Sequence, residues 1–200
     1  ERGLMRSLVH PHIVAFQGMH EDDVQFQLMM EFVDGPNASD WLDALKEPLS
    51  VGAAARIGCQ LLSALAYAHG KGYVHRDIKP SNLLVTGSHK RPDVKLSDFG
   101  LAKSFRDNGG LAGLTLQGDI GGSCGFLSPD HIRDFREAKE PADIYSAGAT
   151  IYYLLTGEYP FLDFDPNKPD AYIKFLEAPI VPLRAHRHDL PEGFEHVVRK

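Results

Sequence analysis

The stretch from Val74 to Asn82 constrains the chain most, because it sets many polar groups between two apolar runs. It reads Val-His-Arg-Asp-Ile-Lys-Pro-Ser-Asn and holds an acid, two cations, a carboxamide, an imidazole and a proline. A buried strand or helix would not tolerate that density of polar groups without a task for them. Sixteen positions after Asn82 comes Asp98-Phe99-Gly100. The two stretches together predict a site built on loops.

The overall composition suits a globular chain with a sizeable core. Its 200 residues are enough for one large domain or two small lobes, and its 43% apolar and 24% charged residues are ordinary values. The formal net charge of −6 argues against a nucleic-acid-binding protein, which would need clustered Lys and Arg. The two cysteines, Cys59 and Cys124, predict no disulfide framework and indicate a reducing compartment.

The chain ends and the lengths of its apolar runs indicate where in the cell the protein is located. Nothing like a signal peptide follows Glu1, and the longest apolar runs are shorter than the roughly 18 residues of a membrane span. These features predict a cytoplasmic location and no membrane segment within the chain, and they leave open an anchor outside it. The start without Met and the stop at Lys200 predict a fragment of a longer protein.

Hydrophobic periodicity predicts strands first and helices afterwards. Ser50 suits the N-cap of a long helix to about His69, and Gly70 and Gly72 mark its end. A polar turn at Gly18–Asp23 is expected between the first two strands. The other predicted elements are strands at Ile13–Phe16, Val24–Val33, Leu83–Val85 and Val94–Leu96, and helices around Trp41–Leu45, at Ala142–Leu155, at Tyr172–Leu176 and from Pro191. The predicted fold class is α+β.

The pattern His-Arg-Asp-x-Lys-Pro-x-Asn, followed by Asp-Phe-Gly, resembles eukaryotic-type (Hanks-type) serine/threonine protein kinases. The resemblance is collinear from Glu1 to about Phe161, and the stretches Phe135–Lys139 and Tyr152–Gly157 look most like bacterial members. It implies a bilobal kinase-like fold. Residues 1–33 would be an N-lobe remnant with the end of helix C, two strands and the hinge, and residues 34–200 an incomplete, mostly helical C-lobe.

The resemblance implies a role for each polar residue of the two motifs. Asp77 would accept the proton of the substrate hydroxyl, and Lys79 would neutralise charge on the moving phosphoryl group. Asn82 and Asp98 would ligate Mg²⁺ beside ATP, and Gly100 would let the backbone turn after Asp98. The alternative is that Asp77 and Asp98 are loop carboxylates that form Asx-turns.

Further residues match the adenine pocket of the family. Met30 would lie at its back, the backbone C=O of Glu31 and N–H of Val33 would bind adenine, and Leu84 would form the floor. Taken alone, the stretch Leu28–Val33 is only an apolar strand.

Several residues match structural positions of the family. His75 and Phe99 resemble two members of its hydrophobic spine, which would stack with Met5 and Phe16. Asp143 matches the group that holds the catalytic-loop backbone, and its alternative is an ordinary acid at a helix N-terminus. Glu1 matches the helix C glutamate. The strand lysine that pairs with that glutamate is missing from the chain, and no G-x-G-x-x-G occurs in it.

The segment from Asp98 to Asp130 matches the activation segment. Arg76 would pair with a phosphate on it, for which Thr115 is the best-placed acceptor and Ser104 a weaker one. Ser123 occupies the substrate-loop threonine position. Asp130 stands in Ser-Pro-Asp where Ala-Pro-Glu is usual, and its expected Arg partner would lie beyond Lys200. The alternative for Thr115 is a polar loop residue without modification.

The resulting prediction is ATP- and Mg²⁺-dependent phosphoryl transfer to Ser or Thr of protein substrates, with dimerisation for autophosphorylation. Lys79 favours Ser/Thr over Tyr, because tyrosine kinases usually replace that lysine. The alternative is a pseudokinase that binds or scaffolds without turnover. The pairs His10/His12 and His186/His188 have metal-ligand spacing but no partners to complete a site, so turn and loop roles are expected. Arg184–Arg187 is expected to be a solvated basic face.

Overall fold

The computed structural model describes residues 8–21, 26–99, 125–133, 138–165, 168 and 177–198. Within them lie two small antiparallel sheets and a helical body, so the predicted α+β class is confirmed. The predicted helix at 172–176 lies outside the described residues. The strands are β1 Phe16–Glu21, β2 Phe26–Met30, β3 Leu83–Ser88 and β4 Arg91–Leu96; the helices are α1 Ala38–Leu45, α2 Val51–His69, α3 Pro129–Arg133, α4 Glu140–Thr156, α5 Leu183–His186 and α6 Glu192–Val198, with a 3₁₀ turn at Pro80–Asn82.

The two long helices follow from their caps and apolar faces. The Ser50 side chain accepts a hydrogen bond from the Ala53 N–H at 3.2 Å, as predicted for the start of α2. Pro141 stands in the first turn of α4, and Gly157 closes that helix in the left-handed region at φ 75°. Helix α2 packs against both α4 and β4. The core therefore lies between these three elements, and it includes Ile57, Leu61, Leu65, Leu154 and Leu155.

Helix α2 is long and apolar enough to cross a membrane by length and composition. The absence of a membrane segment therefore stays a prediction, and α2 is the one such helix in the part of the chain that the structure describes. Its buried residues include Ile57, Leu61 and Leu65, which contribute to the domain core. Packing against α4 and β4 accounts for the apolar character of this helix within the fold.

The first strand lies later in the chain than predicted. Strand β1 begins at Phe16 and runs through part of the predicted turn at Gly18–Asp23. The apolar residue Ile13 instead forms a parallel bridge with Leu96. The Val14 N–H donates to the Leu96 carbonyl at 2.9 Å, and the Leu96 N–H donates to the His12 carbonyl at 2.9 Å. Residues 13 and 14 thus pair with β4, whereas β1 pairs with β2 and begins at Phe16, opposite Met30.

The passage from β2 into the helical body runs close to β3. A Cβ at Gly35 would overlap the Val85 carbonyl, so the chain needs glycine at this point. The Val85 N–H donates to the Pro36 carbonyl at 2.8 Å. Asn37 then caps α1, because its side-chain oxygen accepts from the Asp40 N–H at 2.9 Å. These contacts place Leu84 on β3 beside the connection that follows β2.

Candidate active site

The loop before the 3₁₀ turn brings three of the predicted site residues together. The Lys79 Nζ lies 3.1 Å from Asp77 Oδ2. The Asn82 side-chain nitrogen donates to the Asp77 carbonyl at 2.7 Å and lies 3.1 Å from Asp77 Oδ2. The Asp77 N–H donates to Nδ1 of His75 at 3.2 Å. Asp77 is thus fixed by neighbours on both sides, and its carboxylate is only partly exposed.

Asp98 lies beside this loop and is linked to it through Ser97. The Ser97 N–H donates to the Asn82 carbonyl at 2.9 Å, and Ser97 Oγ lies 3.0 Å from Asp98 Oδ2. The Asp98 backbone is left-handed, with φ 62°. Since the Asn82 amide nitrogen is used by Asp77, the amide oxygen is the atom that Asn82 can offer to a cation. A carboxylate and an amide oxygen are ligands of the type that Mg²⁺ accepts.

The described part of the chain contains no group of three or more His, Cys, Asp or Glu side chains that could hold a metal ion. Asn82 and Asp98 would by themselves be an incomplete ligand set for such an ion. A hard cation at this position would need further oxygen ligands, which phosphates and water commonly supply.

Asp143, at the start of α4, holds the backbone of the loop from beneath. Its carboxylate is fully buried. It accepts from the His75 N–H at 2.8 Å and from the Arg76 N–H at 2.7 Å, and His69 Nε2 lies 2.8 Å away. Burial raises the pKa of Asp143, but these hydrogen bonds outweigh it and the net pKa is lowered. The charged form is thus the one that suits the site.

The ring of His75 connects the loop to Phe99. The two ring centroids are 4.6 Å apart with an edge-to-face angle of 77°, and His75 Nε2 lies 2.8 Å from the Ser97 carbonyl. Phe99 and Phe16 line one small pocket together with Met30 and Asp98. Three of the four expected spine residues are therefore close to this pocket, whereas Met5 lies outside the described residues.

Of the predicted adenine-pocket residues, Met30, Glu31 and Val33 lie at or just after the end of β2, whereas Leu84 lies on β3. Lys95 Nζ is 2.6 Å and 2.8 Å from the two carboxylate oxygens of Glu31. The Ala15 N–H also donates to Glu31 at 3.1 Å, and the hydrogen bond from Lys95 is the main cause of the lowered pKa of Glu31. Met30, Val33 and Leu84 are partly exposed. The side chain of Glu31 thus fixes this connection to β4.

The activation-segment predictions are only partly within the described chain. Arg76, whose φ is 69°, donates from Nε to the Ala138 carbonyl at 3.1 Å. Asp130 lies exposed in the first turn of α3, and the Ser128 hydroxyl accepts from the His131 N–H at 3.3 Å as a cap of that helix. Besides Met5, the predicted residues that lie outside the described residues are Glu1, Gly100, Ser104, Thr115 and Ser123.

One of the basic residues expected on a solvated face is in fact built into the fold. The Arg187 side chain is 18% exposed, and its guanidinium donates to the Leu49 and Leu155 carbonyls at 3.0 Å each. It also forms two hydrogen bonds of 2.7 Å to Asp189. The prediction of a solvated face is therefore wrong for Arg187, because carbonyl groups at two helix boundaries need a donor.

The histidine pair near the chain start has ordinary packing roles. His10 stacks on Tyr67 with ring centroids 5.1 Å apart, and its Nε2 lies 3.3 Å from the Ser63 hydroxyl. The Nδ1 of His12 lies 3.0 Å from the Val94 carbonyl. The ring of His10 thus connects the segment before β1 to α2, and the ring of His12 connects it to β4.

Three residues of the site were not predicted from the sequence: His69, Lys95 and Ser97. Ser97 directly precedes Asp98, and a small polar residue after an apolar strand could have indicated it. His69 ends an apolar helix, and Lys95 alternates with buried Val94 and Leu96 on β4. Their partners are distant in sequence, so spacing alone could not reveal them.

Comparison with known proteins places this arrangement in a family. Residues 1–187 match the family model described as the protein kinase domain, and the chain belongs to that family. It is 36% identical to the probable serine/threonine-protein kinase PknB of Lactococcus lactis subsp. lactis, over 98% of this chain and 30% of that protein. It is 31% identical to the serine/threonine-protein kinase PrkC of Bacillus subtilis, over 97% of this chain and 28% of that protein.

The fold is similar to solved kinase structures as well. The structure of Rad53 in complex with AMP-PNP superposes with a TM-score of 0.66 at 28% sequence identity, covering 98% of this chain and 44% of that one. The predicted kinase-like fold and the resemblance to Hanks-type serine/threonine kinases are confirmed by these comparisons. The chain spans less than a third of the length of the two curated relatives.

Proposed function

We propose that the protein carrying this domain transfers the γ-phosphoryl group of ATP to Ser and Thr hydroxyls of other proteins. The observation that carries the proposal is that Lys79 Nζ and the Asn82 amide nitrogen each lie 3.1 Å from Asp77 Oδ2, with Asp98 joined to Asn82 through Ser97. A carboxylate, a cation and two oxygen ligands are the groups that phosphoryl transfer requires.

Each residue then has one task. Asp77 orients the acceptor hydroxyl and takes its proton, and its contacts with Lys79 and Asn82 hold it in one position. Lys79 offsets negative charge on the transferred group. Asn82 and Asp98 would hold Mg²⁺, which neutralises phosphate charge when bound. Asp143 keeps the loop backbone in place from the core side.

The nucleotide would bind between the β1–β2 sheet and β3. Met30, the backbone of Glu31 and Val33, and Leu84 form the proposed adenine pocket, and the Glu31–Lys95 pair fixes its edge. The similar Rad53 structure contains AMP-PNP, an ATP analogue. This supports ATP as the donor, and a cytoplasmic supply of ATP suits the predicted location.

Protein Ser/Thr is the preferred acceptor because Lys79 is present and because the curated relatives carry that name. None of the comparisons favours the pseudokinase alternative. The proposal also includes dimerisation for autophosphorylation. It includes as well the activation-segment roles given above for Arg76, Thr115, Ser123 and Asp130.

The direct test is Asp77→Asn in the whole protein. Loss of the general base should reduce phosphorylation of a generic protein substrate by at least about 100-fold, a typical contribution of such a group. Transfer of ³²P from ATP measures the change. Asp43→Asn, an exposed substitution on α1, is the matched control and should keep full activity. Activity retained in the Asp77 variant would refute the proposed mechanism.

A further inference from the structure

Ser97 lies at the point where the catalytic loop and Asp98 meet, and all of its polar groups are used there. Its N–H donates to the Asn82 carbonyl at 2.9 Å, and its own carbonyl lies 2.8 Å from His75 Nε2. Its hydroxyl oxygen lies 3.1 Å from the Asn82 carbonyl and 3.0 Å from Asp98 Oδ2. The residue is only 6% exposed, so water does not readily replace these partners.

A hydroxyl has one proton, and two acceptors lie within its reach. The Asn82 carbonyl already accepts the Ser97 N–H, whereas a carboxylate is the stronger acceptor because it is charged. The favoured donation is therefore from the Ser97 hydroxyl to Asp98 Oδ2. This bond fixes one oxygen of the Asp98 carboxylate, Oδ2.

The backbone of Asp98 makes such support useful. Its φ of 62° is in the left-handed region, which non-glycine residues adopt only when neighbouring contacts hold them there. The carboxylate would otherwise rotate about its side-chain bonds. A hydrogen bond from the preceding residue limits this rotation.

We propose that Ser97 is a positioning residue, whose hydroxyl sets the Asp98 carboxylate in the orientation that binds a divalent cation together with Asn82. The inference rests on the proposed function, since it concerns the same metal site. It adds a specific device: Ser97 couples the two metal-ligating residues, one through its backbone N–H and the other through its side chain. Removal of supporting groups of this kind typically weakens metal binding by about 10-fold or more.

The test measures metal binding itself in the whole protein. Mn²⁺ is titrated into protein saturated with AMP-PNP, and free Mn²⁺ is followed by its electron paramagnetic resonance signal. Ser97→Ala should raise the Mn²⁺ concentration for half-saturation about 10-fold, and Ser97→Thr, which keeps the hydroxyl, should restore most of the affinity. Ser146→Ala is the matched control, because Ser146 is also buried and donates to the Ala142 carbonyl within α4.

A second measurement separates positioning from a general structural role. Affinity for AMP-PNP is measured by calorimetry in EDTA, and it should be unchanged in Ser97→Ala. An equal loss of nucleotide and metal affinity would overturn the positioning role, and so would an unchanged Mn²⁺ affinity. If the wild-type protein itself bound no Mn²⁺ with AMP-PNP, both the proposed metal site and the positioning role of Ser97 would be refuted. Normal wild-type binding with no effect of Ser97→Ala would overturn the role of Ser97 alone.

Discussion

Two carboxylates hold the two sides of the candidate site, and they do so in opposite surroundings. Asp143 is fully buried under the catalytic loop and accepts two backbone N–H groups beside His69. Glu31 stands at the edge of the proposed adenine pocket with its side chain 30% exposed, paired with Lys95 and the Ala15 N–H. The chemical group is nearly the same. The two carboxylates differ in solvent exposure and in the groups that donate hydrogen bonds to them.

The difference shows which contacts the fold depends on. Backbone amides buried beneath a loop have no other acceptor, so losing their carboxylate leaves them unsatisfied. An ion pair near solvent can exchange its partner for water, and salt screens it. Asp143 therefore holds its side of the site, where the acceptor hydroxyl and metal would bind, more firmly than Glu31 holds the adenine-pocket side.

Removing the buried carboxylate should give the largest effect. Asp143→Ala is expected to lower the free energy of unfolding by about 3–5 kcal/mol, because it strips the acceptor from two buried amides and from His69. Urea denaturation measures the loss. Asp43→Ala, at an exposed position on α1, should stay within about 0.5 kcal/mol of wild type. An equally small change for Asp143→Ala would contradict the role of burial.

The Asp143 carboxylate should also make the free energy of unfolding depend on pH in the acid range. The folded-state pKa of Asp143 is lowered, so its contribution is complete above the unfolded value of about 3.9 and is lost as pH falls through the folded value. The stability difference between wild type and Asp143→Asn should therefore be constant above about pH 5 and shrink below pH 4. Urea melts across this range measure it. A stability difference that grew on acidification would contradict the lowered pKa of Asp143.

Arg187 provides an intermediate case at the other end of α4 from Asp143. Its guanidinium is largely buried, whereas its partner Asp189 is 59% exposed. Arg187→Met keeps the volume but leaves the Leu49 and Leu155 carbonyls without this donor, and it should cost about 1–3 kcal/mol. Thermal unfolding would show this as a lower Tm. Asp189→Asn should have less effect than Arg187→Met; the reverse order would show that the ion pair matters more than the carbonyls.

The smallest loss of stability is expected at Glu31, on the adenine-pocket side of the candidate site. Glu31→Gln keeps an acceptor for the Ala15 N–H but removes the charge that faces Lys95, and it should cost less than about 1 kcal/mol. Raising the salt concentration from about 0.05 M to 0.5 M should reduce the difference from wild type further. Asp143→Ala should show little salt dependence under the same conditions. A large, salt-independent cost at Glu31 would remove the contrast between the two sides.

Local patterns predicted much of this molecule. Ser50 and Gly70 bounded α2, the apolar stretch from Ala142 predicted α4, and the two motifs contain side chains that the fold brings together. These features depend on neighbours within a few positions, which is what periodicity and capping report.

Contacts between distant residues were not predictable in the same way. The start of β1 was misplaced because Ile13 pairs with Leu96, and Arg187 was assigned to solvent because its acceptors lie on other elements. Glu31 was assigned only a backbone role, since nothing in its surroundings indicates a pair with Lys95. Each error concerns a partner that only the folded chain supplies.

The left-handed backbone at Arg76 and Asp98 has a consequence for the evolution of the domain. Such conformations cost of order 1–3 kcal/mol each for residues other than glycine, and here they occur at two positions of the site. Glycine at either position would relax the backbone but remove the guanidinium or the carboxylate. Thermostability and the proposed activity would therefore place opposite demands on these two positions.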